Sequence, residues 1–418
     1  MSGHHSVSVF GILSHGPEIR RFVVLKLEAM NKYRFILSLC ITCPTLGCTD
    51  QYQDKIAPLS SIEQVQKLVG DRETLTDQEF ESLSRAPYLF LNDITSITDK
   101  QAETLSRVPT LALNGLTSIT DAQAKSLGKV KTHLGLSGLT EITDLQANHL
   151  SNIESLTLNG LTTITESQVQ SLHNVPHLAL CGLTSITDAQ AETLSNVKAL
   201  FLGVNTISDA QAESFSKIRS LSLGELSSLT DIQAGHLSKI EDSLMLGLSS
   251  ITDSQANVLC RVESLSLNNV TSITEEQAEA FGNVRDSLSL DSVKQITNQQ
   301  AESLAKVKKL SLKGIPEITD AQAEKLSQVD QLQLNGLTKN TDTQAEHLSN
   351  VKQLWLSNLT SITDAQAESL SKVKTILELK GLEEITDVQA QIFSRGKFPI
   401  VSESIREKIL HYKKRNTK

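Results

Sequence analysis

The chain has 418 residues, of which 39% are hydrophobic and 21% charged, with a net charge of −9. Eight basic and two acidic residues fall from position 394 onward and five basic and two acidic before position 48, so the stretch between carries −18. An acidic body of this kind argues against nucleic acid as a partner, which calls for a basic stripe.

The first segment of interest reads MNKYRFILSLCITCPTLGC over 30–48. Lys32 and Arg34 form a basic start, Phe35 to Pro44 is mostly apolar, and the run is too short to span a bilayer as a mature helix. Leu46-Gly47-Cys48, with Thr45 where Leu is usual, resembles the end of a bacterial lipoprotein signal, which is cut before a Cys that then carries lipid. An ordinary secretory signal or a buried core segment are the alternatives. Residues 1–29 make poor sense ahead of a signal, so Met30 is the expected true start and 1–29 an upstream extension. Two acyl signals hold a protein on a membrane far better than one chain does. Within 48–74, Ser60 and Glu63 have capping-box spacing ahead of Ile62, Val65, Leu68 and Val69, with Gly70 as a stop, so a linker and N-terminal cap are expected.

From Leu75 to about 397 one motif close to I-T-D-A-Q-A-E-S-L-S-x-V-x-x-L-x-L-x-G-L-T-S returns every 21 to 23 residues. Its fifteen copies start at Leu75, Ile97, Ile119, Ile142, Ile164, Ile186, Ile207, Leu229, Ile251, Ile273, Ile296, Ile318, Asn340, Ile362 and Ile385. A fixed period of this length means a solenoid of stacked supersecondary units. In the copy at Ile119, Thr120 and Gln123 have the spacing of a capping box, and Asp121 complements the helix dipole. Every copy keeps a workable pair: Thr or Ser208 first, Gln or Glu79 second. Ala124, Leu127 and Val130 then give a narrow inward face on a short helix, the Ala allowing neighbouring helices to approach closely. Leu111-Ala112-Leu113 and its equivalents alternate at period two, which predicts a short strand with both Leu inward. Parallel pairing at about 4.8 Å per strand gives a ribbon roughly 70 Å long.

This pattern resembles leucine-rich repeats, specifically the cysteine-containing subtype, over about 320 of the 418 residues. The resemblance implies an α/β solenoid: a horseshoe of about 15 units of 22 residues, a parallel sheet on the concave side and short helices or 3₁₀ turns on the convex side. It also implies a protein-binding concave sheet and brings no catalytic residues. The chain departs from the subtype at Leu116, Leu139 and Leu161, where an Asn or Cys is usual, so the polar ladder of that position is not expected. Gln-Ala also replaces Gly-Leu.

At 398–418, Ile405, Ile409 and Tyr412 share one face of a predicted C-terminal cap helix, followed by a basic tail at Lys413-Lys414-Arg415. That tail could touch anionic lipid or polymer, though a solvated basic end is the commoner explanation. Cys181 and Cys260 lie four strand steps apart, roughly 19 Å, too far for a disulfide. No nucleophile with a base, metal-ligand cluster or phosphate loop is found, and no metal or cofactor is expected. The repeated Thr-Asp already has cap and dipole roles, which weighs against a calcium array.

The middle residue of each L-x-L is expected to face out from the concave sheet. Most are small or polar; Phe90, Phe201, Met245 and Trp355 are the exceptions and are the candidate partner-binding residues. The sequence therefore predicts a lipid-anchored cell-envelope protein, lipidated at Cys48, that binds a protein or surface polymer without catalysis and without nucleic acid. The alternative is a structural spacer or adhesion element with no specific pocket.

Overall fold

The computed structural model describes residues 75–416. The expected signal, Cys48 and the expected N-terminal cap lie outside the described residues.

Fifteen helices alternate with fourteen strands, from α1 (Asp77–Leu83) and β1 (Tyr88–Phe90) to β14 (Ile376–Glu378) and α15 (Asp387–Arg395). The strands form one sheet in sequence order, every neighbouring pair parallel. Register follows the repeat: Leu111 lies opposite Leu89 on one side and Leu134 on the other. The fifteenth unit has an isolated bridge between Glu378 and Ile400 in place of a strand. This is the leucine-rich-repeat solenoid that the leucine spacing predicts. Helices need 8–10 Å between axes whereas strands need about 4.8 Å, so the stack bends with the sheet inside.

Each unit's core is built from the positions the periodicity selects. Ala124, Leu127, Val130, Leu134, Leu136 and Leu139 are all buried, and so are their equivalents in the internal units. The short convex elements are α-helices, seven residues long in the first fourteen units. All fifteen carry both halves of the capping box. In the unit at Ile119, the Gln123 amide N–H donates to Thr120 Oγ1 at 3.0 Å and the Thr120 N–H to Gln123 Oε1 at 2.9 Å.

The same two side chains also join the units. Gln123 Nε2 donates to the carbonyl oxygen of Ile97, one unit back, at 2.7 Å. Thirteen such bonds run from Gln123 to Gln389, at 2.6 to 2.9 Å. A second ladder runs beside it. Thr120 Oγ1 donates to Asp99 Oδ1 of the preceding unit at 3.0 Å, and Thr143 to Asp121, Thr341 to Asp320 and Thr363 to Asp342 likewise. The hydroxyl accepts within its own unit and donates to the one before. The solenoid thus has a polar ladder after all, made by Gln at the helix start and not at the Leu116 position.

The last unit shows how the ladder stops. α16 (Glu403–Asn416) lies against α15 with Ile405 and Ile409 buried and Tyr412 packed on the core. Lys408 Nζ donates to the Ile385 carbonyl at 2.6 Å and pairs with Asp387 Oδ1 at 3.1 Å. Those are the acceptors that a following unit's Gln and Thr would take. Lys408, and next the Tyr412 hydroxyl, hold the Asp387 carboxyl below its usual range. At the other end Glu79 completes its capping box with no side-chain N–H to pass backward.

Two substitutions separate these roles. Gln277→Glu keeps the acceptor for the Thr274 N–H but removes the donor to the buried Ile251 carbonyl. It should cost about 1–3 kcal/mol in urea denaturation, with hydrogen-exchange protection falling first at that junction. Lys408→Met keeps the aliphatic stem and removes the ammonium. Exchange protection over 403–412 should drop while the internal units hold theirs; unchanged protection would refute the terminator role.

Candidate concave interface

Each strand, with the residue two past its middle position, places three residues on the sheet's open face, two apart along the chain: Thr110, Ala112 and then Asn114, or His133, Gly135 and then Ser137. In-register pairing lines these up as three columns running across the whole sheet.

The middle column contains the four bulky residues picked from sequence. Phe90 is on β1, Phe201 on β6 (Ala199–Leu202), Met245 on β8 (Ser243–Leu246) and Trp355 on β13 (Gln353–Trp355). By strand count at about 4.8 Å, the gaps are about 24, 10 and 24 Å, so no single aromatic patch forms. Phe201 and Met245 come nearest, separated by Ser222. These two and Phe90 are half-buried, because their in-register neighbours are small: Ala112 beside Phe90, Ala179 and Ser222 beside Phe201.

Trp355 departs from expectation. It retains 6% of its surface and is buried, not exposed. Its in-register neighbours are the long side chains of Gln333 and Glu378, and Glu378 is itself held by Ser357 Oγ at 2.7 Å. As a ready contact residue Trp355 is therefore closed.

The small residues are also less open than expected. Ala112, Thr157 and Ala179 have no exposed surface, and Ser222 only 4%. The flanking columns account for this. Asn114 Oδ1 lies 3.0 Å from where a Cβ on Gly135 would stand, so the strand-exit side chains lean over the middle column. Asn114 Oδ1 also accepts from the Ser137 N–H, and Asn159 Oδ1 from the Cys181 N–H. Cys181 and Cys260 form no disulfide.

Charge divides the face in two. From β1 to β9 (Ser264–Ser266) none of the three columns carries Asp, Glu, Lys or Arg. His133 and His177 are the titratable groups there besides Tyr88 and Cys181. Burial pushes His133 down to about 3, and its Nδ1 sits 2.9 Å from Ser155 Oγ. Burial, then the charge of Lys198, take His177 to about 4 against a hydrogen bond with the Glu154 backbone. Both imidazoles are neutral near pH 7. Beyond β9 the face turns ionic: Lys309 pairs with Asp286 at 2.6 Å and Lys313 with Asp291 at 2.8 Å, and Ser311 Oγ meets Gln333 Oε1 at 3.0 Å.

Among the described residues no group of three or more His, Cys, Asp or Glu is placed to hold a metal ion. The Thr-Asp carboxylates that suggest an ion array instead accept from the next unit's cap hydroxyl. The uncharged half of the face was readable by laying out all three columns; one column alone hides it.

No family model matches the chain, and no curated protein matches it. Solved structures do. An internalin from Listeria monocytogenes is 15% identical, covering 84% of this chain and 92% of its own, at a TM-score of 0.37. TLR13 in its complex with ssRNA13 is 18% identical, covering 68% and 52%, at 0.40. The Toll–Spatzle complex of Drosophila is 14% identical, covering 75% and 42%, at 0.35. This chain thus spans about half or less of the latter two chains. These are likenesses of repeat architecture and carry no argument about partners.

The buried imidazoles give the array an acid sensitivity. An unfolded His takes up a proton near 6.5, whereas folded His133 does so only near 3. The unfolded state binds more protons in between, so stability falls as pH drops from 6.5 toward 3. In His133→Gln the urea midpoint should fall less over that window than in the parent. Parallel curves for the two proteins would rule the histidine out as a source.

Proposed function

We propose that this chain is a non-catalytic cell-envelope protein, lipid-anchored through Cys48, that binds another protein or a surface polymer with the concave sheet. The observation that carries the reading is the single unbroken sheet of fourteen parallel strands, whose open face is clear of helices along its length. A surface of this kind offers many weak, evenly spaced contacts. Its half-buried Phe201 and Met245, two strands apart, are the best-placed apolar anchors, with Phe90 at the edge strand.

The spacer alternative draws on the blandness of the same face, and a binding experiment separates the two. Full-length protein is immobilised and exposed to detergent-solubilised envelope of the source cell, at low and at high salt. A specific binder should retain a component through high salt, and Ser222→Arg, which puts a long charged side chain between Phe201 and Met245, should lose it. Retention unaffected by Ser222→Arg, or only salt-labile background, overturns the concave-face reading. The anchor is tested separately. With Cys48→Ser, palmitate labelling should vanish and the chain should move from the membrane to the soluble fraction. Among the described residues no helix is long and apolar enough to cross a membrane, so no span there would retain it.

A further inference from the structure

The segment L-x-L-N-G-L-T occurs three times, at 111–117, 156–162 and 332–338, so Asn114, Asn159 and Asn335 each precede a glycine in the same local sequence. The stack requires that glycine. A Cβ on Gly336 would run into the Lys313 carbonyl oxygen of the preceding unit, as one on Gly115 would into that of Asn92 and one on Gly160 into that of Ser137. Glycine also leaves its own nitrogen unshielded and its backbone free to turn, which makes Asn-Gly the pair most open to attack of that nitrogen on the Asn side chain. All three Asn are half-buried. The next unit is what separates them. Asn114 Oδ1 accepts from the Ser137 N–H at 2.9 Å and Asn159 Oδ1 from the Cys181 N–H at 3.0 Å. Asn335 Oδ1 is buried and takes no hydrogen bond.

A second defect lies in the same loop, between β12 (Gln331–Gln333) and α13 (Asp342–Leu348). Asn340 stands where the other fourteen units have Ile or Leu, and its Nδ2 is buried without a partner. The loop thus lacks an apolar anchor and holds two unmet amide groups, a cost that opening to water removes. We propose that Asn335 is a site of spontaneous deamidation, selected among the three Asn-Gly pairs by the fold. The Gly336 nitrogen gives its proton to water and attacks Asn335 Cγ. The new N–Cγ bond closes a five-membered succinimide, the Cγ–Nδ2 bond breaks, and the departing nitrogen takes up a proton and leaves as ammonia. Water then opens the ring, at Cγ to give aspartate or at the backbone carbonyl to give isoaspartate. The net change is amide plus water to carboxylic acid plus ammonia, with no oxidant or reductant. The nucleophile belongs to the same chain, so burial of Asn335 Oδ1 does not keep it out. At Asn114 and Asn159 the same swing of the side chain must first break the bond to the next unit. The product places a carboxylate between Lys313 and Ser357, the equivalent residues of the flanking units. Isoaspartate also adds a backbone atom to a turn too tight for a Cβ on its glycine.

For the test, full-length protein is held folded at mildly alkaline pH, and aspartate and isoaspartate at the three positions are followed by peptide mass spectrometry. Asn335 should convert at least about fivefold faster than Asn114 or Asn159, the weight of one net hydrogen bond. In urea, with the fold gone, the three should react at one rate. Asn340→Ile, which restores the usual core residue, should slow Asn335 in the folded protein and leave Asn114 and Asn159 as they were. Conversion of Asn114 or Asn159 as fast as Asn335 overturns selection by the fold, and so does a lead for Asn335 that persists in urea. An Asn335 rate unchanged by Asn340→Ile overturns the loop's share in it. Absence of conversion at Asn335 over a time in which the urea-treated chain reacts fully overturns the site itself.

Discussion

The hydrogen bond from the Gln side chain to the carbonyl one unit back, made in every unit from Gln123 to Gln389, is the contact on which the array depends. Leucine burial drives the stack together, but it is non-directional and would tolerate a unit rotated or slid against its neighbour. The Gln amide is directional: its oxygen is held by the N–H of its own cap residue, which aims its nitrogen back at the preceding unit, in Gln123 at the carbonyl directly behind. Because that carbonyl is buried, a slipped unit would leave it orphaned. The apolar core supplies most of the stabilisation and the ladder supplies register, and register is what aligns three columns of side chains on the open face.

The elements were legible because they are local. Thr120 and Gln123 lie three residues apart, and Leu111 and Leu113 two apart, so helix start and strand face can be read within one unit. The ladder was not, although Gln recurs in fourteen of the fifteen copies. Its partner Ile97 is 26 residues away, and the capping box already gave the Gln a reason to be there. Lys408 was hidden for a related reason: α16 is not a copy of the unit, so comparison between units is silent about it. Trp355 shows the limit of reading one residue at a time. Its direction follows from alternation, but its exposure depends on Gln333 and Glu378, one unit away on either side.

The open face has two characters. In the ionic half, ion pairs and hydrogen bonds cross neighbouring strands, as Lys313 with Asp291 and Ser311 with Gln333 do, while the buried Asn335 Oδ1 has no partner. The uncharged half leaves hydroxyls unmet at Ser137, Thr157 and Ser266. A surface that satisfies itself gains little from a partner, because every bond to a ligand must replace one already made.

From Gln123 to Gln389 every junction has the same Gln donor on one side and the same backbone carbonyl on the other, and Lys408 takes the donor's place at the end. A duplication or deletion of whole units in the gene would therefore leave the Gln-to-carbonyl bond available at every remaining junction and the terminating lysine in place. Copy number is free to drift or to be selected without rebuilding the ends, so the reach of the molecule can change in one recombination event while its folding rules stay the same.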